Sequence, residues 1–343
     1  MSLISILVAV LGIGFLMIVH EGGHYLAARA SGMRVERFSI GFGPTIFKIK
    51  PKDSDTTFQV ALLPFLAYVQ IAGMNPFEED VDKDDPSLYS NQGVLPRIVT
   101  VAAGPFANYL AAVLMIFGLV YFVGPSGVKV DSLTEDSVAE GLLQPGDLFL
   151  AVEDHPIRNF QDIIVATSER GEMPTRYQIV RDGERLEYTI TPRTDGDRAL
   201  IGVQLGLSRL PPLEFGEAMV AAVKRPWELT VLQIQGLKET AQKRETENLV
   251  GPVGIGQMMA TSFELGADYF IELLALISVA LGLMNLLPFP ALDGGRLCFL
   301  AYEAITRRKA SERVETMIHY VGILFLLGLM VLVFYRDIMR LFA

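Results

Sequence analysis

Residues 3–24 read LISILVAVLGIGFLMIVHEGGH, an apolar run from Leu3 to Val19 that passes without a break into His20-Glu21-Gly22-Gly23-His24. A helix through the whole stretch, rising about 1.5 Å per residue, is long enough to cross roughly 30 Å of hydrocarbon. On that helix His20 and His24 stand four positions apart, so both imidazoles leave one face and can hold the same zinc ion. Glu21 sits one position on, where it can take a proton from an attacking water. A histidine in an apolar helix often does no more than satisfy an interhelical contact. Its place at the end of a span argues otherwise, because unpaired ionisable groups at membrane depth are costly and mark functional sites.

Outward from this segment, the composition asks for further spans. Of the 343 residues 51% are hydrophobic, and the mean hydropathy is +0.37. Ile98 to Val123 carries no charge, Phe270 to Leu287 has one acid, Glu272, and Met317 to Tyr335 has no Asp, Glu, Lys or Arg. With the first segment these make four spans. Nothing basic precedes Leu3 and the run ends in HEGGH, so it does not read as a cleaved signal peptide. Arg307, Arg308, Lys309 and Arg313, between the third and fourth spans, place that loop on the cytoplasmic side. The segment between the first two spans is then also cytoplasmic, while both termini and the middle region lie outside.

Net charge of −10, with no concentrated basic face, excludes a nucleic-acid partner. The single cysteine, Cys298, excludes an internal disulfide and a Cys-rich zinc site, so a metal must be held by His and carboxylate.

The expected organisation is residues 1–30 as the first transmembrane helix, 31–96 as a membrane-associated β region with an acidic loop, and 97–123 as the second helix. A compact α+β domain at 124–206 and an amphipathic helical linker at 207–268 follow, then the third helix at 269–305 and a basic loop with the fourth at 306–343. Met33 to Met74 alternates polar and apolar residues between Gly and Pro breaks, a strand pattern suited to a small sheet lining a cavity beside the histidines. Asn75 to Asn91, which holds the acidic run Glu78 to Asp85 and two prolines, reads as a solvated loop or a short disordered segment. In the middle domain, Asp182-Gly183 between two alternating strands signals a hairpin, with a short helix around Ser137 to Leu142 and a longer one around Phe160 to Glu169. Leu213 to Gln242 reads as a helix that Pro226 kinks or splits.

Two histidines do not complete a catalytic zinc site, which takes three protein ligands. His155, in a loop, and His319, opening the last span, are poor candidates, and Glu36 falls in a strand pattern. In Asn285-Leu-Leu-Pro-Phe-Pro-Ala-Leu-Asp293-Gly-Gly-Arg296, two prolines break the third span and leave a carboxylate at membrane depth, where irregular backbone survives only along a cavity. Asp293 is therefore taken as the third ligand. Asn285 could polarise the scissile carbonyl or hold an extended substrate strand, or make an interhelical hydrogen bond. Gly104-Pro105-Phe106-Ala107-Asn108 breaks the second span similarly; its small residues allow close helix approach, so the segment with Asn108 serves either packing near the site or substrate contact.

With these residues in place, the chain resembles the site-2 protease family of intramembrane zinc proteases, in its bacterial form with one PDZ domain. The resemblance runs nearly the whole length: HEGGH, FSIGFGP after it, GPFAN in the second span, GPVGI at Gly251 to Ile255, NLLPFPALDGGR, and in the middle domain GLLQPGD at Gly141 to Asp147. It implies zinc on His20, His24 and Asp293, water activation by Glu21, and assistance at the substrate by Asn285. It also implies a multi-pass protein of the bacterial inner membrane, surrounded by lipid, with the PDZ domain extracytoplasmic and the active site toward the cytoplasm. The implied role is regulated intramembrane proteolysis, the second cut in a single-span substrate such as an anti-sigma factor after a separate site-1 protease has acted.

The membrane-associated hairpin of such proteins presents an edge to the substrate, which points to Leu66 and Tyr68. Where the family carries a Gly-Gly pair before Tyr-Val, this chain has Pro64-Phe65-Leu66-Ala67-Tyr68-Val69. Leu200-Ile201-Gly202-Val203 is the candidate carboxylate-binding loop of the PDZ domain, with a plain strand as the alternative. The domain either captures a new substrate C-terminus or blocks bulky substrates. A zinc transporter would show repeated halves, and none is seen; a proteolytically silent zinc protein or a PDZ scaffold anchored by its spans is the remaining alternative.

Overall fold

A computed structural model describes residues 2–75, 84–195, 198–243 and 251–342. The chain divides into two compact units, one of Met1–Ile116 with Ala221–Ala343 and the other of Phe117–Val220.

Four helices of the first unit, one of them running on into the second, are long and apolar enough to cross a membrane, over Leu3–Ala30, Val94–Phe122, Ala267–Leu286 and Arg313–Met339. The first is α1 (Leu3–Ala30), which begins where Ser2 accepts the Ser5 N–H through its side chain. The second, α2 (Val94–Phe122), is continuous through Pro105. The expected break is absent: proline removes one N–H from the ladder, and within a span of this length the flanking bonds keep the helix. The third is α6 (Ala267–Leu286). After the Pro288-Phe289-Pro290 interruption a separate short helix, α7 (Asp293–Thr306), begins at Asp293 itself. The last is α8 (Glu312–Phe342).

Between α1 and α2 lie two long antiparallel strands, β1 (Val35–Ile49) and β2 (Thr57–Ile71). Each bends, so that Phe38 stands opposite Val69 on one side and Phe58 on the other, while Ile49 also faces Phe58. The segment 67–71 thus pairs on one side only, with 35–40, and carries no strand on its other edge among the described residues. Ala28, Met33, Val35 and Ile71 pack where the sheet meets α1. Toward the bend Phe42, Ile46, Phe47 and Leu62 are exposed, a surface suited to lipid rather than water. The acidic run expected as a solvated loop lies mostly outside the described residues; Asp85, at its end, pairs with Arg34 at 2.7 Å.

The second unit holds a sheet in the order β10 (Val203–Arg209), β3 (Ser126–Leu133), β4 (Leu148–Val152), β6 (Thr175–Arg181) and β7 (Glu184–Ile190), with β5 (His155–Pro156) on β4. Helix α3 (Phe160–Arg170) begins at Asn159, whose side chain accepts the Asp162 N–H, and a short pair joins β8 (Arg193–Asp195) to β9 (Arg198–Leu200). Asp182 and Gly183 both take positive φ, +51° and +84°, the two-residue turn that suits the twist of β6 and β7. The expected short helix at 137–142 is instead a series of turns, closed where Ser137 Oγ accepts the Ala139 N–H. Phe149, Tyr177, Ile179 and Ile190 lie in a fully buried core, each worth roughly 1.5–3 kcal/mol of transfer free energy. Asp147, 1% exposed, accepts two bonds of 2.7 Å from Arg181 and one from the Gln144 N–H.

Helix α4 (Phe215–Lys243) is one helix with Pro226 inside it, neither split nor ended there. Thr230 Oγ1 donates to the Pro226 carbonyl at 2.8 Å and shares a 2.9 Å bond with Tyr109 on α2. Helix α5 (Pro252–Leu265) packs on α1 through Met259 and Leu274 of α6. Its first turn is held by Asp337 of α8, which accepts the N–H groups of Gly251 and Gly254 at 3.2 and 3.0 Å.

Candidate metal centre

The helix of α1 delivers His20 and His24 to one side, both buried at 6% and 7% exposure, and the first residue of α7 delivers Asp293. His20 Nε2 and His24 Nε2 stand 3.3 Å apart, and Asp293 Oδ2 lies 3.2 and 3.3 Å from them. Ligand atoms about 2.0–2.1 Å from a tetrahedral zinc are separated by about 3.3 Å along each edge, so these three atoms describe one face of such a tetrahedron. Asp293 Oδ2 is buried with no donor of its own, which a cation between the three atoms would satisfy. His20, His24 and Asp293 are the one group of metal-ligating side chains so converged among the described residues.

The outer faces of the imidazoles fix which nitrogen points inward. His24 Nδ1 is 2.8 Å from the carbonyl oxygen of Thr100; a carbonyl only accepts, so Nδ1 carries the proton and Nε2 offers its lone pair. The Asn108 amide lies 3.3 Å from His20 Nδ1, and its Oδ1 is buried without a partner. A half-turn of that amide lets Oδ1 accept from His20 Nδ1–H and gives His20 the same tautomer. Asn108 is held in turn through its backbone, whose carbonyl accepts Ser278 Oγ of α6 at 2.8 Å.

Glycine makes the approach of α1 and α2 possible. A Cβ at Gly104 would collide with the His24 ring, and one at Gly23 with the Ala103 carbonyl and Ala107 Cβ. Here close packing is the reason for glycine.

Glu21 is within Coulombic reach of all three ligands, and its Oε2 accepts the backbone N–H of Val69 at 3.0 Å. Val69 lies in the one-sided segment of β2, so the unpaired edge of that strand abuts the carboxylate. Neighbouring Tyr68 turns its hydroxyl to Gln59 Nε2 at 3.1 Å. Leu66 lies in β2, and its side chain is outside the described residues.

Asn285 donates from Nδ2 to the Leu281 carbonyl one turn back on α6, at 3.0 Å, and has no described bond to the ligands. Gly202, in the second unit, has φ +75°, and its carbonyl accepts Thr134 N–H at 2.9 Å. Glu36 accepts Gln70 Nε2 and His319 Nδ1 accepts the Ala291 N–H, so neither takes part in the metal centre. Thr100 and Val69 act through backbone atoms, which no side-chain pattern marks; the close approach expected of the small residues in GPFAN is present at Gly104, and the fold alone shows that the ring it meets is His24.

Two histidines and a carboxylate in a buried site, with a second carboxylate beside them, define a metal-dependent hydrolase set among apolar helices. The sequence profile of peptidase family M50 matches residues 8–329, and the chain belongs to that family. It is 33% identical over 347 residues to a candidate zinc metalloprotease, so named, of Mesorhizobium japonicum, covering 93% of this chain and 94% of the relative. It is likewise 33% identical over 357 residues to one of Campylobacter jejuni, covering 98% and 94%, and 31% identical over 337 residues to one of Clostridium perfringens, covering 97% and 98%. The protein is a multi-pass membrane zinc metalloprotease of the site-2 type.

Proposed function

We propose that this protein cleaves single-span membrane proteins within or beside the bilayer, in regulated proteolysis that follows a first cut by another protease. The observation that carries this reading is the position of the ligand triangle: it is built on a helix apolar enough to span a membrane, beside an unpaired strand edge. Zinc, when bound, supplies a Lewis acid that lowers the pKa of water and polarises the peptide carbonyl.

His20, His24 and Asp293 hold the metal, and the Thr100 carbonyl and Asn108 fix the two rings. Glu21 takes the proton of the attacking water and passes it to the leaving amine. The segment 67–71 receives the unwound substrate as an added strand, with backbone N–H and C=O groups as the contacts. Asn285, on the turn before the Pro break, reorients its amide from the Leu281 carbonyl toward the substrate.

The middle domain works as a PDZ module on the extracytoplasmic side. Its β10 is an edge strand, and Gly202 immediately before it opens the loop that takes a substrate carboxylate. The basic loop at 307–313 supports a metal centre turned toward the cytoplasm of a bacterial inner membrane, and anti-sigma factors are a fitting substrate class.

Glu21→Gln tests the reading. The variant in membranes should keep zinc and lose cleavage of a single-span substrate by about a thousandfold or more. Cleavage at the original rate would remove Glu21, and the mechanism with it.

A further inference from the structure

A cavity of about 600 Å³ opens apart from the metal ligands, between the loop that follows β2, the start of α2, α7 and the first turns of α8. That volume suits a small-molecule headgroup. Its lining carries three fixed positive charges, Arg97, Arg296 and Lys309, against two acids, Glu303 and Glu315. Glu303 is committed to Arg97 at 2.5 Å, and Lys309 Nζ reaches the Ser90 carbonyl at 2.9 Å.

Arg296 differs from its neighbours. It is half-buried on the first turn of α7, and makes no hydrogen bond or ion pair with any described residue. Its guanidinium faces the open cavity, and an anion there can accept two of its five donors at once. Around it stand further donors. Tyr89 lines the cavity with a phenol that burial pushes up to about 12, so it stays protonated. His319, whose Nδ1 accepts the Ala291 N–H, leaves Nε2 buried and unpartnered on the same wall. With Nδ1 accepting, a neutral ring carries its proton on Nε2, a donor without an acceptor.

Every one of these groups offers a hydrogen or a positive charge, and the forked donor geometry of arginine matches a phosphate oxygen pair. The cavity lies at the end of the spans that carries Arg307, Arg308 and Lys309. Basic pockets between spanning helices at such an end suit acidic lipid headgroups. We propose that this cavity binds a phosphate-bearing anion, the headgroup of an acidic phospholipid or free phosphate, with Arg296 as its principal contact. Arg296 lies three positions after Asp293 on the same helix, so an occupant steadies the helix that supplies the third metal ligand.

The test uses the full chain, purified in nanodiscs of equimolar phosphatidylglycerol and phosphatidylcholine, with co-purifying lipid measured by native mass spectrometry and zinc measured alongside. Wild type should retain phosphatidylglycerol selectively. Arg296→Gln should lower that retention about tenfold with zinc content unchanged, and Arg296→Lys should fall between. Displacement by inorganic phosphate would support the site and identify phosphate alone as sufficient; retention against phosphate would support it and identify the lipid as the source. If Arg296→Gln loses zinc, Lys309→Gln, on an exposed side chain, decides the matter by an expected drop of about threefold. Equal retention of the two lipids by wild type, or phosphatidylglycerol retention unchanged in zinc-bearing Arg296→Gln and Lys309→Gln, would overturn the proposal.

Discussion

The backbone N–H of Val69 donates to Glu21 Oε2 at 3.0 Å, so the carboxylate of the HEGGH motif is tethered to a strand and not only to its own helix. A hydrogen bond to a charged acceptor is worth about 1.5–3 kcal/mol. Val69→Pro removes the donor at a strand edge, where proline is tolerated. The expected result is a fall in kcat of about tenfold or more with zinc stoichiometry intact; a fall in zinc instead would show that the tether serves the ligands.

Asp293→Ala takes away the only carboxylate of the ligand triangle. Two imidazoles remain, and metal affinity should fall by at least about a hundredfold, read by competition with a chromogenic chelator. Equal zinc content at limiting metal would place the third ligand elsewhere.

Asn108→Ala should act through His20 alone. Loss of an outer partner to a metal-bound imidazole costs about 10–100-fold in metal affinity or activity. Asn108→Asp keeps an oxygen for His20 Nδ1–H, and should recover much of the affinity that the alanine variant loses. Failure of both to the same extent would mean that Asn108 matters through packing.

In the second unit, Arg181→Ala leaves the buried carboxylate of Asp147 without its two 2.7 Å partners. Uncompensated charge of this kind costs about 3–5 kcal/mol. Urea titration followed by proteolysis within 117–220 should show that domain opening at clearly lower denaturant, while zinc content stays unchanged.

Much of this arrangement could be read from residue types. The four apolar runs predict the spanning helices, and Asp182-Gly183 its hairpin, because burial and turn geometry are local properties of side chains. His20, His24 and Asp293 converge as their spacing and the Pro288–Pro290 interruption suggest. Pro105 misled, since a proline removes a single N–H and the surrounding helix absorbs the loss; of the two outcomes open at Pro226, the split is absent. The tethers to Thr100 and Val69 were invisible for a different reason: any residue has a carbonyl and nearly any has an N–H, so only the fold says which of them meet a functional group.

The ligand set has one further consequence. His20 and His24 emerge with the first span, whereas Asp293 opens the helix that follows the third. During synthesis the two histidines therefore wait through most of translation for their partner. A nascent or truncated chain that stops short of Asp293 has two corners of the triangle and lacks the third.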